Sequence, residues 1–320
     1  MRLPVRRVFK LGAALVLLAA VAWWVDPQPL GQTLARADAS WVLIGLLTST
    51  AANAASAWRW RALVDWMGWR MPLAWALPVY FRGVAANAWL PGAVVGGDVL
   101  RAWALHQRGV PVAQASASVL LDRLSGLWVL GVLGVAGLAL GHGLDRAWAL
   151  LGGAALDESQ ILALRGVLWT VALLLLVLPY AVLRLPATAW GARLPHWGWW
   201  HRLAHHAPGP QVLRQLLGSL VVQGLSIATL GACLHAVGAP LPWTVVAAAA
   251  VPIFVFATLP ISFGGWGTRE AAAVAVLLPL GVSGAQAMAA SVLYGLFPVV
   301  QSALALWPLP AANATRPPQR

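Results

Sequence analysis

The strongest constraint on this chain is a series of apolar runs, each long enough to cross a bilayer. Six stand out, at about 8–25, 40–58, 114–140, 161–183, 212–236 and 286–307. A helix rises ~1.5 Å per residue and the hydrocarbon core is about 30 Å thick, so about 20 apolar residues span it. In hydrocarbon every backbone N–H and C=O needs a partner within the protein, which favours helices. Charged residues make up only 9% of the 320 residues, and mean hydropathy is +0.76. A soluble surface needs far more charge. The chain therefore reads as an all-α, polytopic membrane protein with a single integral domain over 1–320 and a flexible tail at 308–320. The longest water-facing piece, about Arg184 to Arg214, is too short for a core of its own.

The opening stretch, MRLPVRRVFKLGAALVLLAAVAWWVDP, has the outline of a signal peptide, with Ala20-Val21-Ala22 as a cleavage site. A retained helix is the preferred reading, because the apolar run continues through Trp23-Trp24 and membrane sequence follows. The single cysteine, Cys233, allows no intrachain disulfide. The net charge of +12 is ascribed to loops facing an anionic leaflet rather than to nucleic acid, for which no binding signature occurs.

Charge placement fixes an orientation. Let the N-terminus be cytoplasmic. The cytoplasmic side then holds Arg2, Arg6, Arg7, Lys10, Arg59, Arg61, Arg70, Arg101, Arg108 and Arg123. It also holds Arg184, Arg193, Arg202, Arg214, Arg316 and Arg320. Only Arg36, Arg146, Arg165 and Arg269 fall on the far side, and Arg82 stays in the membrane. This bias expects both termini in the cytoplasm.

Two regions, 72–112 and 243–284, are apolar but broken. Each begins with a helix-like run, then meets Leu-Pro (Pro91, Pro260), a Gly-Gly pair (Gly96-Gly97, Gly264-Gly265) and an arginine (Arg101, Arg269). Gly267 adds to the second cluster. The echo extends further: Gly68 and Pro72 match Gly238 and Pro242, and GVPVAQASASVLLDRL from Gly109 matches GVSGAQAMAASVLYGL from Gly281. The offset stays between 168 and 172, with one inserted residue before Ser291. Half one covers about 40–140, half two about 212–307, and 161–183 links them. By the charge-derived topology the halves are inverted, the pattern of alternating-access transporters. Each broken region is a re-entrant hairpin or a pair of short spans. VLRAWALHQRGVPV is too polar to span, so a hairpin is expected for the first.

Glycine-opened backbone at membrane depth must be buried or line a wet cavity. Freed helix N-termini and arginine forks both suit phosphate. The candidate substrate-binding residues are Arg82, Asp98, Arg101, Asp122, Arg123, Arg269 and Glu270. Each has a plainer reading. Arg82, with Asn87 off its face, reaches a headgroup or snorkels. Asp98 and Arg101, at i and i+3, form a local ion pair or a binding pair. Asp122-Arg123 pairs with Arg101 or Asp98 as lock or as site. Arg269-Glu270 is an interface anchor or the second half of the site. Pro91, Gly96, Gly97, Pro260, Gly264, Gly265 and Gly267 open the backbone. His196, His201, His205 and His206 lie in a loop with no third ligand at a characteristic spacing, so no metal is expected. There is no Walker A loop, GxSxG or strand-borne GxGxxG, and no cofactor is expected.

WRWRALV, NAWLPGAVVGGDVLRAWAL, ASVLLDRLSGL and LPISFGGWGTREAA together resemble the lysylphosphatidylglycerol synthase transmembrane-domain family, over about residues 8–307. The resemblance implies a flippase-like domain that moves lipids, including aminoacylated phosphatidylglycerol, between leaflets. It points to Asp98, Arg101, Asp122, Arg123, Arg269 and Glu270 as the matching polar positions. No stretch matches the soluble aminoacyl-transferase domain, so transport is expected rather than transfer. The alternative is a membrane-embedded headgroup or polyprenyl-sugar transferase with Asp98 or Asp122 as base. A lipid-synthesis enzyme is an expected partner beside the lipid itself.

Overall fold

The computed structural model describes residues 27–89, 95–140, 157–185, 208–258 and 266–306. Among them the chain is helical, and its elements fall into two matched sets. The first set is α2 (Ala39–Trp66), α3 (Leu73–Trp89), α4 (Val95–His106) and α5 (Val112–Leu140). The second is α7 (Pro208–Ala236), α8 (Trp243–Ala257), α9 (Thr268–Leu277) and α10 (Gly284–Gln301). A short α1 (Pro27–Ala35) precedes them, and α6 (Glu158–Arg184) joins them. Four segments among the described residues are long and apolar enough to cross a membrane: α5, α6, α7 and Gly284–Leu306, which is α10 with its 3-10 extension. The expected span at 8–25 lies outside the described residues.

The turns repeat as closely as the helices. Gly68 (φ 89°) ends α2, and Gly238 (φ 70°) ends α7. Gly109 (φ 88°) precedes α5, and Gly281 (φ 86°) precedes α10. In each the left-handed conformation needs a residue without Cβ. After α2, Trp69 N–H donates back to Val64 C=O at 3.1 Å; after α7, Ala239 N–H donates to Leu234 C=O at 2.9 Å.

Helix contacts show the inversion. The most extensive helix pairing joins α2 to α7, the equivalent elements of the two halves. Thr48 bonds Thr229 at 3.0 Å, Arg59 donates to Ser219 at 2.8 Å, and Gln211 donates to Ala62 C=O at 3.3 Å. Position rises on one helix as it falls on the other, so α2 and α7 run antiparallel. The remaining pairings respect the same exchange. As α5 packs on α8, α10 packs on α3; as α3 packs on α4, α8 packs on α9. Each half has its own apolar core. One gathers Trp60, Val64, Trp75, Val79, Leu105 and Val119 from α2–α5. The other gathers Leu230, Leu234, Ile253, Leu277, Met288 and Phe297 from α7–α10.

Neither α4 nor α9 is a span. With 12 and 10 residues they rise only about 15–18 Å. In the first broken region α3 and α4 lie side by side, and the Gly97 N–H donates to the Asn87 side-chain carbonyl at 2.7 Å. A Cβ on Gly97 would stand 2.8 Å from the Asn87 amide and run into the Gly83 carbonyl. Pro91, Pro260, Gly264 and Gly265 lie outside the described residues.

One expectation needs correction. The helix over the expected second span does not stop near 58 but continues to Trp66, so Arg59 lies within it and not in a loop. It is 4% exposed, on the same face of α2 as buried Ser49 and Ser56. A polar face at helical spacing turns Arg59 toward the interior, where Asp122 compensates it.

Gly97→Ala is expected to lower the melting temperature of the detergent-purified protein, at a cost of about 1–3 kcal/mol for overpacking. Gly137→Ala on α5, where a Cβ meets nothing within 4 Å, is the control and should leave it unchanged or raised.

Candidate functional site

In a membrane interior an ionised side chain survives only with a partner or a wet cavity. In the first half the partners form a chain of alternating charge. Asp122 on α5 is 1% exposed. Its Oδ1 accepts from Arg59 Nε at 3.0 Å and Nη2 at 2.9 Å, and its Oδ2 from Arg101 Nη1 at 2.9 Å. Arg59 Nη2 also donates to the Asp122 backbone carbonyl at 3.0 Å. Arg101 Nη2 donates to Asp98 at 2.9 Å, and Arg123 holds the same carboxylate through Nε at 2.9 Å and Nη2 at 3.1 Å. The Arg101 guanidinium lies 4.7 Å from the Tyr80 ring and 5.2 Å from the Trp60 ring. Weak hydration and a planar face suit guanidinium to such a position.

The second half reaches a similar result with other residues. Arg269 lies between Trp266 at 5.2 Å and Tyr294 at 5.8 Å. Its Nη2 donates to Glu270 Oε1 at 2.6 Å and its Nε to Ser291 at 3.2 Å. Glu270 is fully buried, and its Oε2 accepts from the Gly267 N–H at 2.6 Å. That bond closes the first turn of α9 and is charge-assisted. Gly267 holds φ at 87°, which lets the chain turn into the helix. In the repeat, with the residue inserted before Ser291 allowed for, Gly295 stands where the first half has Asp122. The counter-ion of the second arginine therefore comes from its own helix. Gly295 leaves the space the Arg269 guanidinium fills, since a Cβ there would collide with it.

Between these arginines is a cavity of about 200 Å³ with walls from both halves. The first half contributes Asn53, Tyr80, Gly83, Val84, Asn87, Ala88, Gly97, Asp98, Arg101 and Arg123. The second contributes Trp266, Arg269, Gly295 and Pro298. Of the residues singled out from sequence, Asp98, Arg101, Arg123, Arg269 and Gly97 form part of its wall. Asp122 and Glu270 stand one layer behind, each gripping an arginine that faces it. Gly96 is in the first turn of α4, outside the wall. Arg82 lies elsewhere: its Nε donates to the Ala305 carbonyl at 3.1 Å, in the 3-10 turn after α10. A cation there meets the negative end of a helix. Both Asp122 oxygens are committed to guanidinium groups, an arrangement suited to holding arginines rather than to taking a proton.

The sequence reading missed Asn53, Tyr80, Trp266 and Gly295 in the wall, and Arg59 behind it. Arg59 and Asn53 had a signal, the polar spacing along α2. Tyr80, Trp266 and Gly295 had none, because aromatics and glycines are common throughout the chain.

Residues 10–305 match the family described as Lysylphosphatidylglycerol synthase TM region. The chain belongs to this family. No curated protein matches it. Membership covers both halves and the link between them, so the cavity lies within the matched region.

Asp122→Ala would leave two guanidinium groups buried without their shared partner. We expect a loss of about 3–5 kcal/mol, read as a collapse in the yield of monodisperse protein on gel filtration. Asp122→Glu is expected to recover part of it.

Proposed function

We propose that this chain is a flippase-like transporter that moves an anionic or aminoacylated phospholipid, or a related lipid, between the leaflets of a bacterial inner membrane. The observation that carries this reading is the cavity shared by two antiparallel halves, with Arg101 and Arg123 on one wall and Arg269 on the other. Guanidinium groups grip phosphate oxygens at two points, and their own counter-ions keep them charged at membrane depth. A headgroup held between the halves is offered to one side or the other as they rock, while its tails remain in lipid. The family ties the chain to membrane-lipid biology.

The orientation follows the remaining basic residues. With Arg59 assigned to the interior, and Arg101 and Arg123 engaged in ion pairs, the terminal arginines, Arg61, Arg70, Arg108 and the 184–214 loop still favour cytoplasmic termini. That loop is also where a lipid-synthesis enzyme would dock. Most of it lies outside the described residues.

The test is transbilayer movement of a fluorescent phosphatidylglycerol in proteoliposomes, followed by quenching from outside. Ala88→Trp, which occupies the cavity while replacing no member of an ion pair, should slow the protein-dependent rate on the order of tenfold or more. Arg269→Lys keeps the charge but loses the fork and should slow it less. A normal rate in Ala88→Trp, with the cavity shown filled, removes the cavity from the transport path.

A further inference from the structure

This inference rests on the reading of the cavity as a lipid site and concerns what a headgroup must do to enter it. The charged residues in the wall are Asp98, Arg101, Arg123 and Arg269. Asp98, the one carboxylate among them, differs in kind from Asp122. The Asp122 side chain is 1% exposed, whereas that of Asp98 is 22% exposed. Arg101 keeps its bond to Asp122 whatever Asp98 does. The larger share of Asp98's bonding goes to Arg123, whose Nε and Nη2 close on its carboxylate at 2.9 and 3.1 Å. Arg123 is itself 37% exposed. Such a two-point fork is how guanidinium takes a pair of phosphate oxygens.

The charges of the set point the same way. Among the described residues, the linked groups around the cavity are four arginines (Arg59, Arg101, Arg123, Arg269) and three carboxylates (Asp98, Asp122, Glu270). One further negative charge balances them, which is the charge of a phosphodiester.

We propose that Asp98 is an internal stand-in for the headgroup phosphate. A singly charged phosphodiester takes the Arg123 fork from it, and Asp98 withdraws onto Arg101, its other partner at 2.9 Å. The exchange swaps one anion for another at Arg123 and strands no charge. Asp98 thus sets the affinity: it competes with every anion entering the cavity, so only a ligand that adds contacts elsewhere, as a tailed lipid does, displaces it.

The experiment measures thermal stabilisation of the purified full chain in nanodiscs, as phosphatidylglycerol is titrated into phosphatidylcholine. Asp98→Asn removes the competing charge while keeping a hydrogen-bonding side chain. Its half-saturating mole fraction of phosphatidylglycerol should fall roughly tenfold, the factor that about 1.4 kcal/mol represents. Arg123→Gln, at a more exposed position, should raise it by a similar factor. An Asp98→Asn protein that is less stable with an unchanged half-saturation has lost a merely structural ion pair, which overturns the proposal. So does an unchanged half-saturation in Arg123→Gln. Inorganic phosphate in place of the lipid should stabilise neither protein; stabilisation equal to that by phosphatidylglycerol overturns the lipid assignment. These are binding measurements. A shift in Asp98→Asn alongside a wild type that flips no lipid leaves the displacement intact and removes the transport reading alone.

Discussion

A fully buried carboxylate between two arginines is the interaction on which the rest of the first half depends. Desolvating any one of these ions alone costs several kcal/mol. Asp122 joins α5 to α2 through Arg59 and to α4 through Arg101, and Arg59 reaches on to Ser219 of α7. Four helices thus meet at one point, three through ion pairs and α7, from the other half, through a hydrogen bond. Apolar packing alone discriminates poorly among helices in lipid, where tails and leucines are equally oily. Polar cross-links give α2, α4, α5 and α7 a definite register. The neighbouring glutamines of α7 add to it, Gln215 and Gln223 donating to carbonyls of Arg59 and Gly126.

The two halves share their backbone plan but not their electrostatics. Turn glycines, hairpin lengths and helix pairings correspond. The counter-ions do not: one arginine is held from a neighbouring helix by Asp122, the other from its own helix by Glu270. Backbone geometry tolerates little variation, because every turn at membrane depth must satisfy its own amides. A charge needs only an opposite charge within reach, and several positions supply one. The cavity between the halves is in consequence asymmetric, with two guanidinium groups on one wall and one on the other.

Much of this was legible in the sequence. Run length found α5, α6, α7 and Gly284–Leu306, the four described segments long and apolar enough to cross, and the offset between 168 and 172 matched turn to turn. The arginines after the glycine pairs, Arg101 and Arg269, do face one cavity. What sequence could not show was depth. Arg59 sits only two residues from Arg61, yet it is buried while Arg61 is partly exposed beside Asp65. Hydropathy averages over both, and only helical phase separates them. Arg82 is the opposite case. Its mid-helix position left headgroup contact and snorkelling open, and its Nε donates to a carbonyl of the 3-10 turn after α10, away from the cavity wall. The small wall residues, Gly83 and Gly295, matter for the side chain they lack, and only a neighbouring guanidinium makes that visible.

α6 has a single buried residue, Ala172, and otherwise shows leucine, valine and tryptophan outward. It adds nothing to the cavity wall, and it packs on α5 and α7 from outside. Its contribution is parity. One extra crossing between duplicated halves turns the second copy upside down, and an even number would have left both facing the same way. A helix with almost no core of its own thereby decides that two like-built hairpins approach each other from opposite faces instead of standing side by side.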